Sequence, residues 1–163
     1  MPMTSYLTLA GTSQGPIEGD CVQAGRENKI LVYSLEHKIE IPRDTHTGLP
    51  SGQRIHHPLT ITKRIDPSSP LIAQACCTGE HINNFVLDFY QIDENGKEIL
   101  YYKIILENAI IVQVENYYPL TFLEENKPYL HMEKVSFTYS KISWSHETAS
   151  KTAEDDWKKP SAG

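Results

Sequence analysis

Apolar side chains in this chain return at every second position over long stretches, and that period-two alternation constrains the fold more than any other feature. Over residues 29–41, Leu31, Tyr33, Leu35, Ile39 and Ile41 fall on one face of an extended strand. Val32, Ser34, Glu36, Lys38 and Glu40 fall on the other, so the strand has one dry and one wet side. Leu59, Ile61 and Ile65 alternate with Thr60 and Thr62 in the same manner. Residues 85–92 and 98–114 are rich in β-branched and aromatic side chains, and Asp93-Glu94-Asn95-Gly96-Lys97 between them carries the Asn-Gly chemistry of a hairpin turn. A last long strand is expected over 129–144, with Val135, Phe137 and Tyr139 on one face. Residues 6–9 and 17–22 read as shorter strands. The pattern predicts six to eight antiparallel strands and a mainly β fold, an antiparallel β-barrel or two-sheet sandwich.

One segment breaks the period. Asp66-Pro67-Ser68-Ser69-Pro70 supplies capping side chains and a proline suited to a first helical turn. Leu71, Ile72, Ala75 and Cys76 then share one helical face, and Gly79 stands where a left-handed cap belongs. This predicts one short α-helix over 69–78 whose apolar face plugs an open side of the sheet. Residues 42–58 hold Pro42, Gly48, Pro50, Gly52 and Pro58 with almost nothing apolar, and read as a long extended loop. The chain divides into a β domain over 1–147 and a polar C-terminal tail over 148–163 that is expected to be disordered.

Charge and motif spacing argue against several functions. Lys and Arg total 15 against 21 Asp and Glu, a net charge of −6, and such a diffuse negative balance disfavours nucleic acid. No apolar run reaches the roughly 18–20 residues of a membrane helix, so no stable membrane insertion is expected. The first basic side chain is Arg26 and Met1-Pro2-Met3-Thr4-Ser5-Tyr6 holds no apolar h-region, which argues against a signal peptide. The three cysteines, Cys21, Cys76 and Cys77, give no disulfide framework, and folding in a reducing cytosol is expected. Ser51 in Gly48-Leu49-Pro50-Ser51-Gly52 is one place out of register for a nucleophile elbow. His146-Glu147 opens like a zinc motif, but Ser150 stands where the second ligand is needed. His56 and His57 point to opposite faces, and His37 reads as a hydrogen-bonded core residue. No catalytic, cofactor or metal residues are predicted, and the chain is read as a non-enzyme.

The run Glu36-His37-Lys38-Ile39-Glu40-Ile41-Pro42-Arg43-Asp44, continued by Thr47-Gly48-Leu49-Pro50-Ser51-Gly52-Gln53-Arg54-Ile55-His56-His57-Pro58-Leu59, resembles the Hcp family of bacterial type VI secretion tube proteins. Ile61-Thr62-Lys63-Arg64-Ile65-Asp66-Pro67-Ser68-Ser69-Pro70-Leu71, then Gly79-Glu80, is similar to that family's strand-into-helix block. The resemblance spans about residues 4–146. It implies a β-barrel subunit that closes into a homohexameric ring, with rings stacked into an expelled tube. It further implies contacts with contractile sheath, spike and baseplate proteins, small effectors carried in the lumen, and export from the cytoplasm without a signal peptide. On this reading Val32, Ser34, Glu36 and Lys38 are the lumen-facing candidates. Arg43, Asp44, Thr47, Gly48, Leu49, Pro50, Ser51, Gly52, Arg54 and His56 are candidates for subunit and ring contacts. The rival is a monomeric barrel that holds one small ligand.

Overall fold

A computed structural model describes residues 5–157; residues 1–4 and the Lys158-to-Gly163 end of the tail lie outside the described part. The strands are β1 (Ser5–Gly11), β2 (Gly15–Ile17), β3 (Ile30–Val32), β4 (Ser34–Glu36), β5 (Ile39–Glu40), β6 (Ile55–His56) and β7 (Leu59–Arg64). After helix α1 (Ser69–Thr78) come β8 (His81–Ile92), β9 (Glu98–Glu107), β10 (Ala109–Tyr117), β11 (Met132–Thr138), β12 (Lys141–His146) and β13 (Lys151–Asp156). All pairings are antiparallel, and the main sheet runs β13-β12-β9-β8-β10-β11-β7-β4, with β1 on β8 and also paired to β2 and β3. The sheet curls into a half-barrel, the mainly β architecture with one helix that the alternation predicts.

The core lies inside the curl. Leu7, Ile30, Ile61, Phe85, Leu87 and Phe137 are fully buried there, and the Phe85 and Phe137 rings meet edge to face at 4.9 Å. Helix α1 closes the open side as predicted, burying Ile72 and Ala75 and packing on β10. Pro70 sits in its first turn, and Gly79 caps it at φ 70°. The Asn-Gly turn also forms: Gly96 adopts φ 78°, and the Asp93 amide donates to the Lys97 carbonyl at 2.8 Å.

Segment boundaries differ from the expected ones, each for a local reason. The predicted strand over 29–41 is three pieces, because β3 pairs with β1 whereas β4 pairs with β7. The backbone turns between them at Tyr33, whose amide donates to the Thr62 carbonyl at 2.8 Å, and the face alternation reverses there. Val32 is thus in the core at 1% exposure, while Ser34 is exposed and Ile39 and Ile41 face solvent. The strand over 98–114 breaks at Asn108, which takes the left-handed φ of 52° that asparagine tolerates. The strand over 129–144 divides into β11 and β12. Residues 17–22 are not a strand beyond Ile17; Val22 is 92% exposed. Residues 42–58 are not structureless, since Arg43 bridges Pro50 and β6 pairs with β5. The expected disordered tail does not hold over 151–156, where β13 pairs with the whole of β12.

Candidate interaction surfaces

The sheet β4-β7-β11-β10 turns one face to the core and the other outward. Leu35, Ile61, Val135 and Val114 are in register on the inner face. The opposite parity sets two cross-strand rows on the outside, Ser34–Thr62–Lys134–Glu115 and Glu36–Thr60–Ser136–Gln113. Thr60 and Ser136 share a hydroxyl hydrogen bond of 2.8 Å, and Lys134 Nζ lies 5.4 Å from the Tyr117 ring. Lys38 continues the exposed side beyond β4 and pairs with Glu40 at 3.2 Å. The result is a polar surface of mixed charge in which Ser34, Glu36 and Lys134 are exposed while Thr62 and Ser136 are buried beneath their neighbours, suited to weak polar contacts. Of the four lumen candidates, Ser34, Glu36 and Lys38 lie on this side, whereas Val32 is in the core and cannot join them.

At one end of this sheet stands the arm formed by β5, β6 and the residues between them. Its tip is braced by its own backbone: the Asp44 amide donates to the Leu49 carbonyl at 2.9 Å, and the Ser51 amide to that of Pro42 at 2.8 Å. Asp44 Oδ1 accepts from the His46 and Thr47 amides, and Gly48 supplies a φ of 73° at the bend. Arg43, Asp44, Thr47, Gly48, Leu49, Pro50, Ser51 and Gly52 are all exposed on this arm. Ile39, Ile41, Leu49 and Ile55 are large apolar side chains exposed on the same arm.

The root of the arm is tied to the end of the chain. Arg54 Nε donates to Asp155 Oδ2 at 2.7 Å, and Arg54 Nη2 to the Asp156 carbonyl at 3.1 Å. His56 bonds to the same carboxylate oxygen through Nε2 at 2.7 Å and to the Tyr139 hydroxyl through Nδ1 at 2.6 Å; His37 Nε2 meets that hydroxyl at 2.8 Å. A carboxylate only accepts, so neutral His56 carries its proton on Nε2 and accepts from Tyr139, whose oxygen accepts from His37. Trp157 stacks on the His56 ring and donates to the Tyr139 carbonyl. Arg54 and His56 are therefore turned inward onto their own chain, unlike the other arm candidates. Arg54 and His56 also hold the Asp155 carboxyl below its usual range, and burial raises the Tyr139 phenol.

A second apolar surface escaped the sequence reading. Between β10 and β11, Tyr118, Leu120, Phe122, Leu123, Tyr129 and Leu130 are all exposed, Phe122 at 80%. The Tyr118 and His131 rings approach to 4.7 Å beside a cavity of about 290 Å³ that Pro119 and Tyr129 also line. The signal available was the scatter of Tyr118, Leu120, Phe122, Leu123, Tyr129 and Leu130 around Pro119 and Pro128, with neither strand nor helix period, hence with no element to bury them. No group of three or more side chains fit to hold a metal ion occurs among the described residues, and no described helix is long and apolar enough to cross a membrane.

The molecule is thus a curled sheet with a filled interior, whose unburied apolar side chains gather largely on two segments flanking a polar face. The family description "Type VI secretion system effector, Hcp" matches residues 6–146. The chain is 37% identical to the "Major exported protein" of Pseudomonas aeruginosa over the full length of both chains. Among solved structures, "Crystal structure of Hcp protein" superposes with a TM-score of 0.90 at 27% identity, covering 96% of this chain and 99% of that one. "Secreted protein Hcp3 from Pseudomonas aeruginosa" superposes at 0.77 with 33% identity, covering 95% and 98%. The class is that of secreted, β-rich proteins of type VI secretion. The chain belongs to the Hcp family.

Proposed function

We propose that this chain is the tube subunit of a type VI secretion system, acting by assembly and without making or breaking covalent bonds. Six copies close into a ring, and rings stack into a tube that a sheath drives outward behind a spike, with the baseplate as its platform. Small folded effectors travel in the lumen, against Ser34, Glu36 and Lys38. Before firing the subunit resides in the cytoplasm, and it leaves the cell with the tube.

The observation that carries this reading is the pairing of one polar sheet face with two unlike apolar surfaces beyond its ends. A head-to-tail contact requires two different patches on each copy, whereas a two-fold dimer needs only one. The rival of a single-ligand barrel lacks that support, because side chains such as Leu7, Ile61, Phe85 and Phe137 fill the interior. Light scattering and negative-stain images of the purified protein test the proposal. Ring-shaped particles of six-subunit mass are the expected result. A single-subunit mass at every concentration overturns it.

A further inference from the structure

Two imidazoles at the foot of the arm share one phenol oxygen. Tyr139 Oη lies 2.6 Å from His56 Nδ1 and 2.8 Å from His37 Nε2, and the other nitrogen of His56 meets Asp155 Oδ2. Trp157 stacks on the His56 ring at 5.9 Å between centres and donates to the Tyr139 carbonyl, so the same groups hold the end of β13. Tyr139 is 4% exposed, and its hydroxyl has no third partner among the described residues.

The protons that these atoms can carry are countable. With both rings neutral, His56 donates to the carboxylate and accepts from the phenol, whose oxygen accepts from His37. One added proton breaks no bond. On His37 it occupies the free Nδ1 and leaves every contact as it was. On His56 it reverses the chain: Nδ1 donates to the phenol, and the phenol donates to a His37 whose own proton has moved to Nδ1. A second proton has no such arrangement. Both rings then donate to one oxygen, the buried O–H loses its acceptor, and two imidazolium charges face each other across it. The surrounding charges do not balance the second one. Arg54 already shares Asp155, and Asp156 meets Arg54 through its carbonyl and stands in register with Lys141. Glu40 is taken by His57 and Lys38. Burial and the neighbouring His56 and His57 hold the His37 imidazole below its ordinary value, in line with this order of protonation.

We propose that His37, Tyr139 and His56 form an acid-operated latch on the chain end: a first proton is absorbed with β13 and Trp157 in place, and a second releases both from the arm root. The two protons belong to the pair of rings rather than to either one. Release frees Arg54 and bares the edge of β12, while the curled sheet from β7 to β10 contains none of these groups and keeps its fold. The latch lies within one chain and does not depend on the assembly reading.

Trp144→Phe leaves Trp157 as the single tryptophan, and acrylamide quenching of its fluorescence from about pH 8 to about pH 4 follows the latch. Quencher access is expected to stay level through the first proton and to rise at least threefold through the second, with far-UV circular dichroism and scattered mass still unchanged. His37→Asn removes the second proton site and keeps a side chain able to bond the phenol, so its midpoint is expected at least one pH unit lower. His37→Gln serves the same purpose if the asparagine variant lacks the parent's circular dichroism at neutral pH. A midpoint that moves by less assigns the release to Asp155 and overturns the latch. Quencher access that stays level over the whole range overturns it too, as does a rise that comes only with loss of the far-UV signal or a change in mass.

Discussion

Lys63 is a lysine with no exposed surface, held under the start of α1. Its ammonium donates to the Arg64 carbonyl and Asp66 Oδ1, each at 3.0 Å, to Ser69 Oγ at 3.1 Å, and to Glu133. Removing one partner from such a cluster strands the others in low dielectric, at a cost of about 3–5 kcal/mol. Lys63→Met is therefore expected to lower the urea midpoint sharply, and Lys63→Met with Glu133→Leu to recover part of the loss. The alternation placed Leu59 and Ile61 inward correctly, but position 63 shares their parity and carries a charge, so its burial could not be read from pattern. Tertiary partners from α1 and β11 decide it. A second residue-scale prediction concerns His37, whose imidazole is held below its ordinary value by burial and by nearby His56 and His57. The unfolded chain then binds the proton more readily, so stability is fully kept above about pH 6.5 and falls as pH drops through the folded value. Urea midpoints measured from pH 7.5 to 5 are expected to decline, with a flatter decline in His37→Asn. Asp155 adds a lower window. Its depressed carboxyl contributes stability above the unfolded value near 3.9 that is lost as pH falls through the folded one.

Elements were legible where local chemistry and long-range pairing agree. Pro70 and Gly79 bound α1, and Asn95-Gly96 turns β8 into β9, because caps and turns act over four or five residues. The breaks at Tyr33 and Asn108 were hidden because a strand that changes partner keeps its β-forming side chains. Strand β13, Lys-Thr-Ala-Glu-Asp-Asp, was hidden for the opposite reason: it carries no large apolar residue and is held by its ladder to β12 and by Asp155. That anchor predicts a coupling between chain end and arm. Asp155→Ala removes the acceptor shared by Arg54 and His56 and so loosens the tie between the arm root and the chain end. Hydrogen exchange is expected to quicken across 39–57, notably at the Ser51 and His57 amides, while β7 stays protected. Unchanged exchange in the arm would mean that the β5–β6 ladder alone positions it.

At the scale of the whole molecule, dimensions limit what the proposed ring could carry. A chain of 163 residues has a radius of gyration of roughly 15 Å, and an equivalent sphere is about 39 Å across. Six equal spheres in a ring leave a central space as wide as one of them. A compact cargo of about this chain's own size then touches many copies of the polar face at once. In the proposed ring the rows through Ser34 and Glu36 offer only shallow polar contacts per copy, so retention there would depend on their sixfold repetition. Two variants separate size from surface. Fusing a second folded domain of similar mass to a retained cargo is expected to abolish co-purification with rings, because the pair exceeds the hole. Ser34→Arg is expected to weaken retention of the unfused cargo at least tenfold while rings still form, since one bulky charge enters the lumen six times. Retention that ignores both changes places cargo on the outer wall, and the polar face would then be ordinary solvent-exposed surface.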